Sequence, residues 1–498
     1  MRYLLMRAFA LMALILAFTV DLNAQPTFVY GNNDTVGPNS VSGFSVAANG
    51  SLTQLPNSPF MTGGMGAEGG VFAANSITLC SSINFLFAAN SGSNSVSVFS
   101  INPTTGNLTL VPGSPFATGG IADVNGMTLA VTPDNRFLMA GNADSGNISV
   151  FSIGFDGSLT LIPGSPFPAI GPPIFTFGFT DGMKVTPDGK FLIVATLNAL
   201  QPLSVFSIAS SGALTFVPNS PFFAVGSYAG VEINCASNLL FSGIANGTNT
   251  SVGVFNISSD GLLEHVPGSP FMFESGANSN ITLLSPDEHN LFISNQFSNT
   301  ITVTTVAPNG SLSLVPGSPF AVGADSNNLP IGMATNREGT LLFAAITNFA
   351  LSSGISVLKV NSNGTLSLVP GSPFSTTPFS FLQTISVFPP RTCGGQFNIC
   401  LRDDSNGNLL RFNSVTGEYQ FTDCGKGFTL GGKGVVTTNG CKISLTDSGI
   451  DPKRPDRNVQ VTANTCTNAG SASVRILPSG KTFGINDSNI SGHSCSCP

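Results

Sequence analysis

The chain has 498 residues, of which 42% are apolar and only 9% charged, with 56 Gly, 33 Pro, 40 Phe, no Trp and three His. That length exceeds what one hydrophobic core usually holds, so two domains or a repeat architecture are expected. Forty Phe exclude a disordered chain, and three imidazoles (His265, His289 and His493) exclude chemistry that needs several of them. Between Gln25 and Arg391 there are six Lys/Arg against sixteen Asp/Glu, whereas Thr392–Pro498 carries ten against eight. The acidic first part repels phosphate backbones, which excludes it as a nucleic-acid binder.

In chain order, residues 1–24 read as an export signal. Arg2 and Arg7 supply the positive start, Ala8–Val20 the apolar run, and Leu22-Asn23-Ala24 a small residue at the cleavage point. The apolar run is shorter than the ~20 residues a bilayer span needs, so no transmembrane segment is expected after cleavage. The mature protein is expected to be secreted, periplasmic or at the cell surface.

Residues 25–390 repeat. One phrase recurs seven times, at Leu55–Phe60, Val111–Phe116, Ile162–Phe167, Val217–Phe222, Val266–Phe271, Val315–Phe320 and Val369–Phe374, each ending in Ser-Pro-Phe. Each unit resolves into four short strands. In the third these are Met127–Thr132 (A), Arg136–Gly141 (B), Asn147–Ile153 (C) and Ser158–Ile162 (D). Asp156-Gly157 turns C into D, and the same junction holds Asn49-Gly50, Asp260-Gly261, Asn309-Gly310 and Asn363-Gly364. Proline after D suits the end of an outer edge strand, with the Phe of Ser-Pro-Phe packing between neighbouring sheets. Four antiparallel strands every ~50 residues describe propeller blades. The N-terminus supplies only B, C and D (Thr27–Leu55), and Phe381–Val387 supplies the missing A. The expected fold is an all-β, seven-bladed β-propeller whose terminal strands pair to close the ring.

The junctions Val131-Thr-Pro-Asp-Asn-Arg-Phe-Leu138 and Val185-Thr-Pro-Asp-Gly-Lys-Phe-Leu192 carry a further signal. With Ser149–Ile153 and Gly157-Ser-Leu159, they resemble the blade phrases of the lactonase-like seven-bladed propellers, the 6-phosphogluconolactonase and YVTN-repeat group. The resemblance spans residues 26–390 and implies the fold. It also implies, in the family's enzymes, a cleft with His, Arg and acidic side chains. No Pro-His pair opens a strand here, and the propeller's Arg are Arg136, Arg337 and Arg391. No catalytic residue is therefore assigned, and the reading leans away from an enzyme.

Six acidic residues stand in or near the connectors from each strand D to the next strand A: Glu68, Asp123, Asp181, Glu232, Glu274 and Asp325. Together they are the candidate ligand rim, suited to Ca²⁺ or a cationic group if they converge, and otherwise solvated loop charges. Asp134, Asp188 and Asp287 recur at one repeat position and read as turn residues bonding their own backbone. Cys80 and Cys235 read as buried free thiols.

Residues 391–498 form a second unit with seven of the nine cysteines: Cys393, Cys400, Cys424, Cys441, Cys466, Cys495 and Cys497. Among strand-like runs (Leu409–Phe412, Gly434–Thr437, Lys442–Leu445, Asn458–Val461) they predict a small β domain held by up to three disulfides, with one cysteine over. Three functions compete. The preferred one is a non-enzymatic binding or scaffold propeller that meets a protein or glycan at one face. The others are a lactonase-type hydrolase or cyclase, and a Ca²⁺-dependent carbohydrate-binding or adhesion protein.

Overall fold

The computed structural model describes residues 26–35, 37–66, 74–80, 84–122, 126–154, 156–169, 180–196, 202–222, 226, 228–245, 249–273, 279–323, 329–347, 353–376, 381–382, 384–391, 398–403, 408–413, 418–423, 428–433, 435–439, 442–447, 457–464, 469–476 and 481–487. Residues 1–24, read from the sequence as an export signal, lie outside them. Seven antiparallel sheets follow one another along the chain. In blade 3 strand A is Gly126–Val131, B is Phe137–Asn142, C is Asn147–Ile153 and D is Leu159–Leu161, as the repeat predicted. Blade 1 takes its inner strand from the far end of the propeller. Ile385–Phe388 pairs antiparallel with Phe28–Asn32, with Phe388 opposite Phe28 and Val387 opposite Val29. The ring is closed by this one pairing.

The recurring hexapeptide explains itself residue by residue. Proline at its second position and Gly or Asn at its third make a tight turn. Gly113, Gly164, Gly268, Gly317 and Gly371 have φ between 85° and 92°, and Asn57 and Asn219 stand at 67° and 64°. The turn closes by a bond from the serine N–H to the carbonyl of the first residue, as from Ser165 to Ile162 at 3.2 Å. The serine hydroxyl then accepts the N–H of a strand C residue in all seven blades. The donors are Gly43, Val98, Val150, Val205, Val254, Val303 and Val357, at 2.8–3.0 Å. All seven Ser-Pro bonds are cis.

Here the structure departs from the sequence reading. The chain does not leave the blade at the proline. It returns to strand C, where the Phe pairs again: Phe167 with Ile148, Phe271 with Val252, Phe320 with Ile301. The outer strand is thus two short pieces, D and a second segment, and the serine bridges the gap in the ladder between them. Buried backbone donors need a partner, and the hydroxyl supplies the one that neither piece can.

Blades pack face to face through apolar clusters such as Met139, Ile148 and Val150 of blade 3 against Met183, Val185, Leu192 and Val194 of blade 4. A second contact repeats around the ring. The glycine of each C–D turn sits on the first residue of strand B in the preceding blade. A Cβ on Gly106 would lie 2.4 Å from Phe28, on Gly157 2.8 Å from Phe85, on Gly212 2.7 Å from Phe137 and on Gly261 2.8 Å from Phe191. Blade 1 makes the same contact with blade 7, through Gly50 and Leu341. These glycines have φ between 73° and 90°, so both the turn and the close approach require them.

Beyond the propeller, nine strands form two antiparallel sheets, Asn398–Lys433 with four and Val435–Asp487 with five. Leu401, Leu409, Leu410, Phe421, Val459, Val461, Val474 and Ile485 are buried between or beneath them. Phe421 meets Phe483 at 5.1 Å across the two sheets, and Asn408 Nδ2 donates to Gly484 O at 3.3 Å. The sequence reading found four of these strands and missed five, whose alternation is diluted by Gly, Thr and Asn. The side chains of all seven cysteines proposed as disulfide partners lie outside the described residues.

Candidate ionic clamp at the propeller's inner rim

Strand direction gives the disc two faces. The D-to-A connectors and B–C loops share one face, and the A–B and C–D turns share the other. Inner strands of successive blades lie side by side around the axis, among them Thr180–Val185 of blade 4, Tyr228–Ile233 of blade 5 and Ser279–Leu284 of blade 6.

Of the six acidic rim candidates, Glu68, Asp123, Glu274 and Asp325 lie outside the described residues. Asp181 is the second residue of its inner strand, near the connector face. Glu232 does not sit in a connector. It is the fifth residue of the blade 5 inner strand, toward the A–B turn face, and its side chain is only 3% exposed.

A buried carboxylate needs cationic partners, and two are present. Lys184 holds the same register as Glu232, one blade back: it lies opposite Ile193 as Glu232 lies opposite Phe241. Its ammonium forms an ion pair with Glu232 Oε2. The second partner is Arg391, three residues beyond the closing strand of blade 1. Its guanidinium lies across at blades 5 and 6, with Nη1 3.3 Å from Glu232 Oε1 and donating to Leu284 O at 2.7 Å. Nη2 approaches Glu288 Oε1 at 3.5 Å and Cys235 Sγ at 3.9 Å. Glu288 Oε1 in turn accepts the N–H of Cys235 at 2.5 Å. Blade 1 is two blades from blade 6 and three from blade 5 around the ring. Arg391 therefore spans the axial opening on the A–B turn face and ties the closing strand to the opposite side.

Glycines permit the approach that this clamp needs. A Cβ on Gly182 would come within 2.7 Å of Gly230 Cα, so the inner strands of blades 4 and 5 touch backbone to backbone one step above Lys184 and Glu232.

Cys80 is a buried free thiol, as expected, and burial pushes its ionisation well above the ordinary thiol value. Cys235 corrects the sequence reading: it is disulfide-bonded, to a partner outside the described residues. The reading treated Cys235 as a match for Cys80 in a distant blade. It missed that the chain leaving the closed ring returns to this turn.

The remaining polar residues have local duties. Asp134, Asp188 and Asp287 each accept a hydroxyl from the Thr or Ser two residues before, at 2.6, 2.7 and 2.5 Å. Each also accepts a backbone N–H two residues on, which fixes the A–B turn. Burial opposes ionisation of Asp287, but the bonds from Ser285 and His289 outweigh it and hold its carboxyl below the ordinary value. His265 stacks on Phe255 with ring centroids 4.2 Å apart, and its Nδ1 lies 2.9 Å from Ser269 Oγ. Among the described residues no group of three or more His, Cys, Asp or Glu is placed to hold a metal ion, and no helix is long and apolar enough to cross a membrane.

Residues 37–177 match the family model described as Lactonase, 7-bladed beta-propeller. No curated protein matches the chain. Two solved structures of candidate 6-phosphogluconolactonases are similar in fold. The one from Bacteroides uniformis is 16% identical, covers 73% of this chain and 99% of its own, and has a TM-score of 0.57. The one from Bacteroides fragilis is 17% identical, covers 74% and 99%, and has the same TM-score. A hypothetical selenium-binding protein from Sulfolobus tokodaii, 9% identical over 74% of this chain and 94% of its own, reaches 0.51. Identities this low speak for fold and not for activity. The lactonase-like match thus covers the first blades, and the ring as a whole shares the seven-bladed β-propeller fold of these structures.

Proposed function

We propose that this is an exported, non-enzymatic binding propeller that presents its connector face to a partner, with the C-terminal unit as an attachment or interaction module. One observation carries the reading. The cationic groups at the inner rim, Lys184 and Arg391, are neutralised by Glu232 and Glu288 and are not free to hold an anionic sugar acid or phosphate. The axial opening on the A–B turn face is crossed by the chain itself, which leaves the connector face for a ligand. Large apolar side chains stand exposed on or beside that face: Met61, Met65, Ile121, Met272 and Phe297, at 42–67%. Exposed apolar surface of this kind favours a protein partner over a small anion.

The lactonase reading is the second, because the family signature favours it. A lactonase needs a base and an oxyanion stabiliser at one carbonyl. The discriminating experiment assays the mature chain on 6-phosphogluconolactone and on uncharged sugar lactones, beside its Glu232→Gln variant. The expected result is hydrolysis at the spontaneous rate for both. Hydrolysis above that rate, lost in the variant, would replace the binding reading with a lactonase built on the clamp. The Ca²⁺-dependent adhesion reading is tested by thermal unfolding in EDTA and then in added Ca²⁺. A rise in melting temperature, abolished in Asp123→Ala and Asp181→Ala variants, would establish it.

A further inference from the structure

The bridging serine accepts a strand C amide in every blade, but in one blade its own proton has a titratable acceptor. The residue that ends strand D is Leu in blades 2, 3, 6 and 7, Gln54 in blade 1 and Phe216 in blade 4. In blade 5 it is His265. We propose that His265 is a pH-sensitive latch on the outer strand of blade 5. Neutral, it holds Ser269 in its bridging place; protonated, it loosens the second outer segment, Phe271–Phe273.

The geometry sets the protonation state that the joint requires. Ser269 Oγ accepts the Val254 N–H at 2.8 Å and lies 2.9 Å from His265 Nδ1. The hydroxyl has one proton, and it can donate that proton to the ring only where Nδ1 carries none. The neutral ring with its proton on Nε2 therefore completes a relay from Val254 through Ser269 to His265. An imidazolium makes Nδ1 a second donor facing the same oxygen, and the serine proton loses its acceptor. The ring also lies on Phe255, its partner across the ladder, with centroids 4.2 Å apart. Burial there holds its ionisation below the ordinary imidazole value.

The elements packed around it supply little compensating charge. Strand C (Thr250–Ile257) and Phe271–Phe273 carry none, nor do residues 203–216 and 300–314, the outer strands of blades 4 and 6. Glu264 alternates to the other face of strand D, opposite Asn256, and Asp260 in the C–D turn is engaged by Ser258 Oγ. As pH falls, the unfolded chain takes up the proton first, at the ordinary value of about 6.5. The contribution of His265 is thus complete above about pH 6.5 and is lost below it. The loss falls on one segment. Phe271–Phe273 pairs with Thr250, Ser251 and Val252 and begins two residues after Ser269, so it can open while the inner strands of blade 5 stay paired. The outer edge of blade 5 is then softer in acid than the other six, whichever partner the connector face binds.

The experiment is hydrogen exchange of the full mature chain at about pH 7.5 and about pH 5, with rates corrected for their intrinsic dependence on pH. The expected result is a several-fold loss of protection in acid at residues 252–255 and 271–273 of blade 5. The matching residues of blade 3, 148–151 and 167–169, where Leu161 replaces the histidine, should keep theirs. Equal losses in the two blades, or no loss in blade 5, overturn the proposal. His265→Leu installs the residue type that four other blades use, so the acid loss should vanish; a loss that persists also overturns it. His265→Gln copies blade 1, where Gln54 Nε2 donates to Ser58 Oγ at 3.3 Å, and should likewise remove the dependence on pH. If neither variant accumulates, the comparison of blades 5 and 3 in the unaltered chain decides alone.

Discussion

Replacing Arg391 by Ala tests whether the ring is held by charge at its rim. The guanidinium is 15% exposed and touches Glu232, which is 3% exposed, and Glu288, which is 29% exposed. Removing one partner of a buried ion pair costs about 3–5 kcal/mol, because a charge is left without compensation. The Arg391→Ala cost should fall below that range. Lys184 still faces Glu232, and Glu288 is open enough to be hydrated. The charge-assisted bond to the Leu284 carbonyl is lost outright. We expect destabilisation of about 2–3 kcal/mol. With no Trp in the chain, unfolding in guanidinium is best followed by far-UV circular dichroism. Arg136→Ala is the control. That side chain is 53% exposed, 3.8 Å from Asp134, and its loss should cost no more than about 0.5 kcal/mol. Combining Arg391→Ala with Glu232→Gln should cost less than the two changes added, since the pair is coupled. If Arg391→Ala falls within about 0.5 kcal/mol of the control, under both oxidising and reducing conditions, the clamp contributes nothing and the reasoning fails.

Ser165→Ala should cost about 1–3 kcal/mol, because the Val150 N–H would lose its only acceptor in the gap between the two outer segments; an unchanged midpoint in the same assay would deny the serine its bridging role. Gly157→Ala should cost about 2–4 kcal/mol, from a left-handed φ of 82° and a Cβ 2.8 Å from Phe85. Gly37→Ala, at φ 99° with nothing within 4 Å, should cost about 1 kcal/mol, and equal losses at the two sites would remove the interblade contact from the account. Burial raises Tyr228 to about 12 and Tyr30 further, against roughly 10 in the unfolded chain. Both contribute stability that is complete below pH ~10 and declines as pH rises, because only the unfolded form releases its protons there. Spectrophotometric titration should show these two phenols ionising with unfolding and not before it.

The blades were legible because each is written locally. Val-Pro-Gly-Ser-Pro-Phe contains its own turn, and Asp-Gly its own hairpin, so seven copies announce seven sheets whatever surrounds them. The second outer segment was not legible, although Ser and Phe recur seven times. The proline that marks an edge strand also stands between two edge strands, and only the strand C donor aimed at the serine distinguishes the two. In the C-terminal unit, Ala469–Ile476 and Lys481–Asp487 bury Ala472, Val474 and Ile485 and expose Ser471, Ser473, Thr482 and Gly484, so each strand offers only one or two large apolar side chains and its alternation is faint.

The inner rim was harder, for a reason that belongs to closed rings. The contacting pairs among Lys184, Glu232, Glu288 and Arg391 are 48 to 159 residues apart, and nothing local distinguishes these residues from solvated charges. Composition suggested a circle of carboxylates at the connectors; Glu232 instead lies toward the other face. Two signals could have located the clamp. Ring closure by Phe381–Val387 fixes where the chain leaves the disc, and Arg391 is the first charge after that exit, on the A–B turn face where Cys235 and Glu288 also stand. Cys235 is the second: its disulfide has no partner among the described propeller residues, where Cys80 is a free thiol, so the A–B turn of blade 5 is tied to a segment outside its own sheet. Topology, rather than any motif, is what brings a distant residue to its site in a fold of this kind.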